Sequence, residues 1–212
     1  MLKCIIFDLD GTIGNTLPLC IAALKQSIEP LAGRLFTDEE IRATFGPSEE
    51  GIMEALIPEY REEGMHNYLL HYQNLHTMCV APFAGMTEIF DYIKTRNIQM
   101  ALVTGKGAQG TVITLSTFGI HSYFDHIETG SPQGSRKVEG IQNVLRQLGL
   151  APEECIYVGD SPSDIIESRE VRVPVVAAAW AETTQIEELT ALKPGWLFKN
   201  TQEFMQFIKQ AV

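Results

Sequence analysis

The chain has 212 residues, of which 45% are hydrophobic and 20% are charged, and its formal net charge at pH 7 is −11. This balance is ordinary for a globular protein and argues against intrinsic disorder. The negative charge argues against nucleic acid or an anionic membrane as a partner, because either would favour a basic surface. An anionic small-molecule substrate would need locally clustered positive charge or a metal.

The amino terminus and the cysteines bear on location. Residues 1–3 lead directly into a strand that ends in Asp8, a start too short and too acidic for a signal peptide. No later apolar run approaches membrane-spanning length. The four cysteines show neither CxxC spacing nor the density of a disulfide-rich domain. We therefore expect a cytoplasmic protein. The sequence leaves open whether it is a monomer or a homodimer.

The first predicted strand carries two carboxylates at its end. Residues 4–7, CIIF, are apolar and of strand length, and the next five residues are DLDGT. In a parallel α/β sheet, ligands bind outside the carboxyl ends of the strands. Asp8 and Asp10 are two residues apart, so both can face the same crevice, and Gly11 allows a sharp turn just beyond them.

Residues 16–80 contain helical patterns and no convincing strand. Apolar residues recur at helical spacing from Leu17, and Thr37 with Glu40 has the pattern of a capping box. A third helix is predicted from about Glu49 to Leu56, and a fourth places Tyr68 and Tyr72 on one face. This segment is expected to form a small helical bundle.

From residue 81 onward, predicted strands and helices alternate. Strands are expected at about 100–104, 125–129, 155–158 and 173–178, and a final helix at 203–211. The predicted fold class is therefore α/β, with a doubly wound (Rossmann-like) parallel sheet and an inserted all-helical cap. The expected core domain comprises residues 1–15 and 81–212, and the expected cap domain comprises residues 16–80.

Three later positions supply further candidate groups. Thr104 and Gly105 follow the strand at 100–104, Lys137 precedes a helix, and Asp160 and Asp164 follow the strand at 155–158. Phosphate ester hydrolysis needs a nucleophile, a proton donor for the leaving alcohol, and positive charge to offset the phosphoryl oxygens. These residue types, with Asp8 and Asp10, meet those needs.

The four motifs, in this order, resemble the signatures of the haloacid dehalogenase-like hydrolases. The resemblance implies that Asp8 is the nucleophile, Asp10 the general acid and base, and Thr104, Gly105 and Lys137 the phosphate-binding groups. It also implies a Mg²⁺ cofactor held by Asp8, Asp160 and the backbone carbonyl of Asp10. Asp164 is expected to lie outside that direct shell, paired with Lys137. Arg136 is a competing candidate for the lysine's role.

Several positions depart from the usual pattern of the family. Val138 stands where the family usually has proline, Asn15 where it often has an acidic residue, and Gly105 where many of its phosphatases have asparagine. None of these changes removes a catalytic group. The helical cap resembles that of the phosphoglycolate phosphatase-like members.

The presence of Asp10 favours a phosphatase acting on a small phosphorylated metabolite, since relatives that cleave carbon–halogen or carbon–phosphorus bonds lack this second aspartate. Two alternatives stay open. A phosphosugar mutase would share the fold and the nucleophile, and a catalytically silent binding protein would keep the fold alone.

The loop at residues 44–50 is the best candidate for contact between the cap and the substrate. It contains two glutamates and no cation. A substrate with a second anionic end would favour arginine or lysine there. The sequence therefore favours a neutral or cationic leaving group, unless Arg42 or Lys106 supplies the missing charge.

Overall fold

The computed structural model describes residues 2–211. Within that range, six parallel strands form one sheet in the order β3-β2-β1-β4-β5-β6. The strands are β1 (Cys4–Phe7), β2 (Gln99–Val103), β3 (His126–Glu128), β4 (Cys155–Gly159), β5 (Val175–Ala178) and β6 (Trp196–Phe198). The chain runs outward from β1 in both directions, so the strand order reverses beside β1, where open α/β sheets bind ligands.

Ten α-helices accompany the sheet in the described residues. They are α1 (Leu17–Ala32), α2 (Asp38–Arg42), α3 (Glu49–Leu56), α4 (Arg61–Leu75), α5 (Met86–Thr95), α6 (Ala108–Phe118), α7 (Lys137–Leu148), α8 (Pro162–Glu170), α9 (Ile186–Ala191) and α10 (Thr201–Ala211). None of them is both long and apolar enough to cross a membrane.

Both faces of the sheet are covered. Strand β1, which is apolar at every position, therefore has no accessible surface. Ile5 and Phe7 face a cluster that includes side chains of α5, α6 and α10. Cys4 and Ile6 face a second cluster that includes side chains of α7, α8 and α9. Burying a large apolar side chain of this kind stabilises the fold by about 1.5–3 kcal/mol. The α/β fold class predicted from the sequence is therefore confirmed.

Helices α1 to α4 pack around an apolar cluster of their own, which includes Tyr68 and Tyr72 of α4. The predicted capping box is present at the start of α2, where the Thr37 hydroxyl accepts from the backbone N–H of Glu40. The Glu40 carboxylate in turn accepts from the backbone N–H of Thr37 at 2.8 Å. The division into a core domain and a cap domain at residues 15/16 and 80/81 stays a prediction.

The predicted strands differ from the observed strands by one or two residues at their ends. Strand β2 ends at Val103, so Thr104 lies just beyond it, and β5 begins at Val175 after Pro174. The pattern analysis missed β6, which has three residues and pairs only with β5 in the described sheet.

Candidate active site

A cavity of about 310 Å³ lies where the carboxyl ends of β1, β2 and β4 meet the helical segment. The predicted site residues that line it are Asp8, Asp10, Thr104, Gly105, Lys137 and Asp160. All of them except Lys137 follow β1, β2 or β4 and come together because the carboxyl ends of parallel strands lie at the same edge of the sheet. Lys137 is the first residue of α7.

Asp8 lies at the floor of this cavity and is paired with Lys137. Its Oδ2 atom is 3.2 Å from Nζ of Lys137, and both side chains are at least nine-tenths buried. Burial raises the pKa of Asp8 from 3.8 to about 7, with the nearby carboxylates adding to the effect and Lys137 opposing it. Burial acts to lower the pKa of Lys137, but Asp164 and Asp8 outweigh it, and the net pKa is raised. The lysine therefore stays charged beside the carboxylates.

Asp164 is fully buried and anchors the start of α8. Its Oδ1 atom accepts from Nζ of Lys137 at 2.5 Å, while Oδ2 accepts from the backbone N–H and hydroxyl of Ser161. Ser161 in turn accepts from the N–H of Asp164, which completes a capping box. Both carboxylate oxygens of Asp164 are thus occupied, in keeping with its expected pairing with Lys137.

Asp160 lies beside Asp8 at the end of β4. The Thr12 hydroxyl donates to its Oδ1 atom at 2.9 Å. Burial, followed by the charges of Asp8 and Asp164, raises the pKa of Asp160 well above its usual value. Gly11 allows this approach, since its φ is +83° and an added Cβ would lie 2.1 Å from Asp160 Oδ2.

The residues present fit a hard divalent cation. Ligand atoms of Asp8, Asp160 and Asp164 lie within 4.8 Å of one another, and the buried Oδ1 atom of Asp8 has no hydrogen-bond partner. Because Asp164 is already engaged, the carboxylate oxygens left for a cation are Oδ1 of Asp8 and Oδ2 of Asp160. Mg²⁺ commonly takes one or two carboxylates and completes its shell with water or phosphate.

Asp10 lines the same cavity and is held by groups outside this cluster. Its Oδ1 atom accepts from the Thr16 hydroxyl at 2.5 Å, and both of its oxygens are 3.4 Å from Nζ of Lys106. Its side chain is partly exposed, so it can reach a bound ligand. Asp8 and Asp10 therefore differ in their surroundings, since Asp8 pairs with Lys137 and Asp10 with Thr16 and Lys106.

Thr104 and Gly105 line the cavity directly beyond the end of β2. Thr104 is buried and its hydroxyl accepts from the backbone N–H of Lys106 at 3.2 Å. The loop is tightly packed, because an added Cβ at Gly130 would lie 1.8 Å from the Gly105 carbonyl oxygen. A small, rigid hydroxyl-bearing turn of this kind suits contact with phosphoryl oxygens.

Lys106 and Glu49 also line the cavity. The sequence identifies Lys106 only as a possible cation and Glu49 only as part of the candidate contact loop, and it does not predict that they pair. The Lys106 side chain is almost fully buried, with Nζ 3.4 Å from Glu49 Oε1 and 4.3 Å from the centre of the Tyr72 ring. Burial acts to lower the pKa of Lys106, but Asp10 and other acidic groups raise it well above its usual value. The sequence signal available was only a lysine two residues beyond Thr104 and a glutamate in the loop at 44–50.

The two other candidate cations lie elsewhere. Arg136 pairs with Glu139 at 2.7 Å and with Glu128 at 3.6 Å, and it does not line the cavity. Arg42 is exposed at the end of α2, also outside the cavity lining. Lys137 is therefore the cation beside Asp8.

Comparison with known proteins agrees with this geometry. A family model described as haloacid dehalogenase-like hydrolase matches residues 5–178. The chain is 24% identical to a pyrophosphatase PpaX from Bacillus pumilus, covering 96% of this chain and 95% of that one. It is also 24% identical to a phosphoglycolate phosphatase from Aquifex aeolicus, covering 93% and 96%.

Among solved structures, a haloacid dehalogenase-like family hydrolase from Streptococcus pneumoniae has a similar fold. The TM-score is 0.79 at 22% identity, with 98% of each chain covered. At this level of identity the likeness establishes the fold.

Proposed function

Since the chain belongs to the haloacid dehalogenase-like hydrolases and is a phosphatase of that family, we propose that it hydrolyses a small phosphate monoester through an aspartyl phosphate on Asp8. The observation that carries this proposal is the pair of carboxylates leaving one strand end. Asp8 lies against Lys137 with one oxygen unpartnered, and Asp10 lines the same cavity with a partly exposed side chain.

The first half of the reaction forms the aspartyl phosphate. A carboxylate oxygen of Asp8 attacks phosphorus, and the ester P–O bond breaks. The carboxyl group of Asp10 gives its proton to the leaving oxygen, so that the alcohol departs neutral. Lys137 offsets the charge on Asp8 and the phosphoryl oxygens, and the Thr104 hydroxyl and Gly105 N–H contact those oxygens.

The second half returns the enzyme to its starting state. Asp10, now a carboxylate, takes a proton from a water molecule as that water attacks phosphorus. The bond between phosphorus and Asp8 breaks, which releases inorganic phosphate and restores the Asp8 carboxylate. The Thr16 hydroxyl, 2.5 Å from Asp10, orients this group in both halves.

A divalent cation completes the proposal. Mg²⁺ would be held by the carboxylates of Asp8 and Asp160 and by the backbone carbonyl of Asp10. When bound, it supplies positive charge that offsets the phosphoryl oxygens. Thr12 and Lys137 keep the surrounding carboxylates in position through their contacts with Asp160 and Asp164.

The test is release of inorganic phosphate from 4-nitrophenyl phosphate with Mg²⁺, compared with EDTA and with Asp8→Asn. We expect the wild type to release phosphate, and we expect both EDTA and Asp8→Asn to abolish that release. Activity that survives Asp8→Asn would overturn the nucleophile, and activity in EDTA would overturn the metal requirement. A mutase would instead isomerise a sugar phosphate without releasing phosphate.

A further inference from the structure

The cavity has two sides of different chemistry. The side beneath the strand ends carries the phosphate-binding groups and the candidate cation site. The opposite side, formed by the helical segment, has an apolar wall made of Leu17, Leu24, Phe45, Pro47 and Ile52. Since Asp8 attacks from the strand ends, the leaving group of the ester faces the apolar wall.

The charges on the leaving-group side do not favour a second anion. Among the described residues that line the cavity, the cations are Lys106 and Lys137. Lys137 is paired with Asp8 and Asp164, and Lys106 lies 3.4 Å from both Asp10 and Glu49. With Asp10 protonated as the proposed acid, the charge of Lys106 is matched by that of Glu49, so this side offers no uncompensated positive charge to a second anion.

Glu49 is held firmly in this position. Its Oε2 atom accepts from the backbone N–H of Gly107 at 2.6 Å, and its Oε1 atom accepts from the Tyr68 hydroxyl at 3.1 Å. The surrounding backbone leaves room for the carboxylate, because an added Cβ at Gly107 or Gly110 would lie 2.6 or 2.9 Å from its oxygens. A substrate anion therefore cannot reach Lys106 without displacing a buried carboxylate that has three partners.

We propose that Glu49 makes this site selective for phosphate esters of neutral or cationic alcohols with a short apolar part, and that it excludes substrates with a second anionic group. The physical reason is that a carboxylate or second phosphate would lie unpaired between the apolar wall and Glu49, where burying an unpaired charge is costly. The inference rests on the proposed phosphatase function and names its substrate class. It differs from what the names of the two relatives say of those proteins.

A series of two-carbon esters of similar size tests this proposal. The substrates are phosphoethanolamine, 2-hydroxyethyl phosphate and phosphoglycolate, which end in a cation, a neutral hydroxyl and an anion, and inorganic pyrophosphate is added as a fourth. We expect kcat/KM for phosphoglycolate and pyrophosphate to be at least about tenfold below that for 2-hydroxyethyl phosphate. Phosphoethanolamine should equal or exceed the neutral ester.

Two variants locate the selectivity. Glu49→Gln keeps a side-chain acceptor for Gly107 and removes the charge. It should therefore raise kcat/KM for phosphoglycolate, relative to kcat/KM for the neutral ester, by about tenfold. Glu54→Gln is the matched control, because Glu54 lies on the same helix but is exposed and pairs with Arg61. It should leave the ratio unchanged.

The outcomes distinguish failure of the selectivity at Glu49 from failure of the proposed phosphatase function. A wild type that prefers phosphoglycolate or pyrophosphate, or a Glu49→Gln variant with an unchanged ratio, overturns the inference and leaves the phosphatase function standing. A wild type that releases no phosphate from any of these substrates or from 4-nitrophenyl phosphate overturns both.

Discussion

Nζ of Lys137 lies 3.2 Å from Oδ2 of Asp8, at a point where both side chains are almost inaccessible to solvent. The lysine is the first residue of α7 and the aspartate directly follows β1, so the contact joins the centre of the sheet to a helix on its face. A charge so deeply buried needs a partner, because removing one member of a buried pair leaves the other uncompensated.

Lys137→Met should therefore abolish activity and destabilise the protein by about 3–5 kcal/mol. Asp8, Asp160 and Asp164 would then crowd together without a compensating cation. The measurements are phosphate release and urea unfolding. Arg136→Met is the neighbouring control, and it should cost no more than about 1 kcal/mol because Arg136 is partly exposed and its partner Glu139 is exposed. A larger loss of activity and stability in Arg136→Met than in Lys137→Met would contradict the assignment of this role to Lys137.

The role of Asp10 as an acid can be separated from its other contacts by changing the leaving group. An alkyl alkoxide needs a proton to depart, whereas 4-nitrophenolate departs readily without one. Asp10→Asn should lower kcat/KM for 2-hydroxyethyl phosphate by about 10²–10⁴-fold and lower it much less for 4-nitrophenyl phosphate. Because kcat/KM reports formation of the aspartyl phosphate, slow breakdown does not obscure the comparison. Equal losses on both esters would contradict proton donation by Asp10.

The raised pKa of Asp8 predicts that the metal-free protein loses folding stability as pH rises. Burial raises this pKa from 3.8 to about 7, so between those values the folded protein holds a proton that the unfolded chain has lost. The group therefore removes stability as pH rises through that range. Asp8→Asn abolishes this titration. In EDTA, the melting temperature of the variant minus that of the wild type should increase with pH, and a flat or falling difference would contradict it.

Magnesium should stabilise the wild type more than Asp8→Asn, which opposes the difference expected in EDTA. At pH 8, a Mg²⁺ concentration of about 100 times Kd should stabilise the wild type by about 2.7 kcal/mol. Asp8→Asn should gain little, because it lacks a proposed carboxylate ligand. Asp10→Asn is the control, since it keeps the backbone carbonyl and should retain the stabilisation. The same gain in Asp8→Asn as in the wild type would remove Asp8 from the ligand set.

Gly11 offers a test of the packing around Asp160. Its φ is +83°, and an added Cβ would lie 2.1 Å from Asp160 Oδ2, whereas Gly33 has φ +65° and open space around it. Both Gly11→Ala and Gly33→Ala should lose roughly 1–2 kcal/mol of stability from the left-handed backbone. Gly11→Ala should also lose activity and Mg²⁺-dependent stabilisation. Equal behaviour of the two variants would contradict the close packing of Gly11 on Asp160.

Much of the fold was predictable because the signals are local. The four residues of β1 are all apolar and end at Asp8, and Thr37 with Glu40 identifies the start of α2 from a spacing of three. Strand β6 was not predictable, because a three-residue edge strand has no periodicity and its pairing comes from β5.

The site residues also divide into those that local sequence identifies and those that it does not. Asp8, Thr104, Lys137 and Asp160 are recognisable because each follows a strand or begins a helix within a known motif. The contact between Glu49 and Lys106 joins residues 57 positions apart in the chain, and nothing in either local pattern indicates it. Such a contact exists only once the helical segment has packed against the sheet.

The most direct test of the account is to locate the phosphoryl group during turnover. Asp10→Asn, which should form the aspartyl phosphate from 4-nitrophenyl phosphate and hydrolyse it slowly, would be quenched in acid and its peptides analysed by mass spectrometry. The account predicts one phosphoryl group on the peptide that contains Asp8, lost when Asp8→Asn is added to the variant. A phosphoryl group on another residue, or wild-type turnover rates in Asp8→Asn alone, would contradict it.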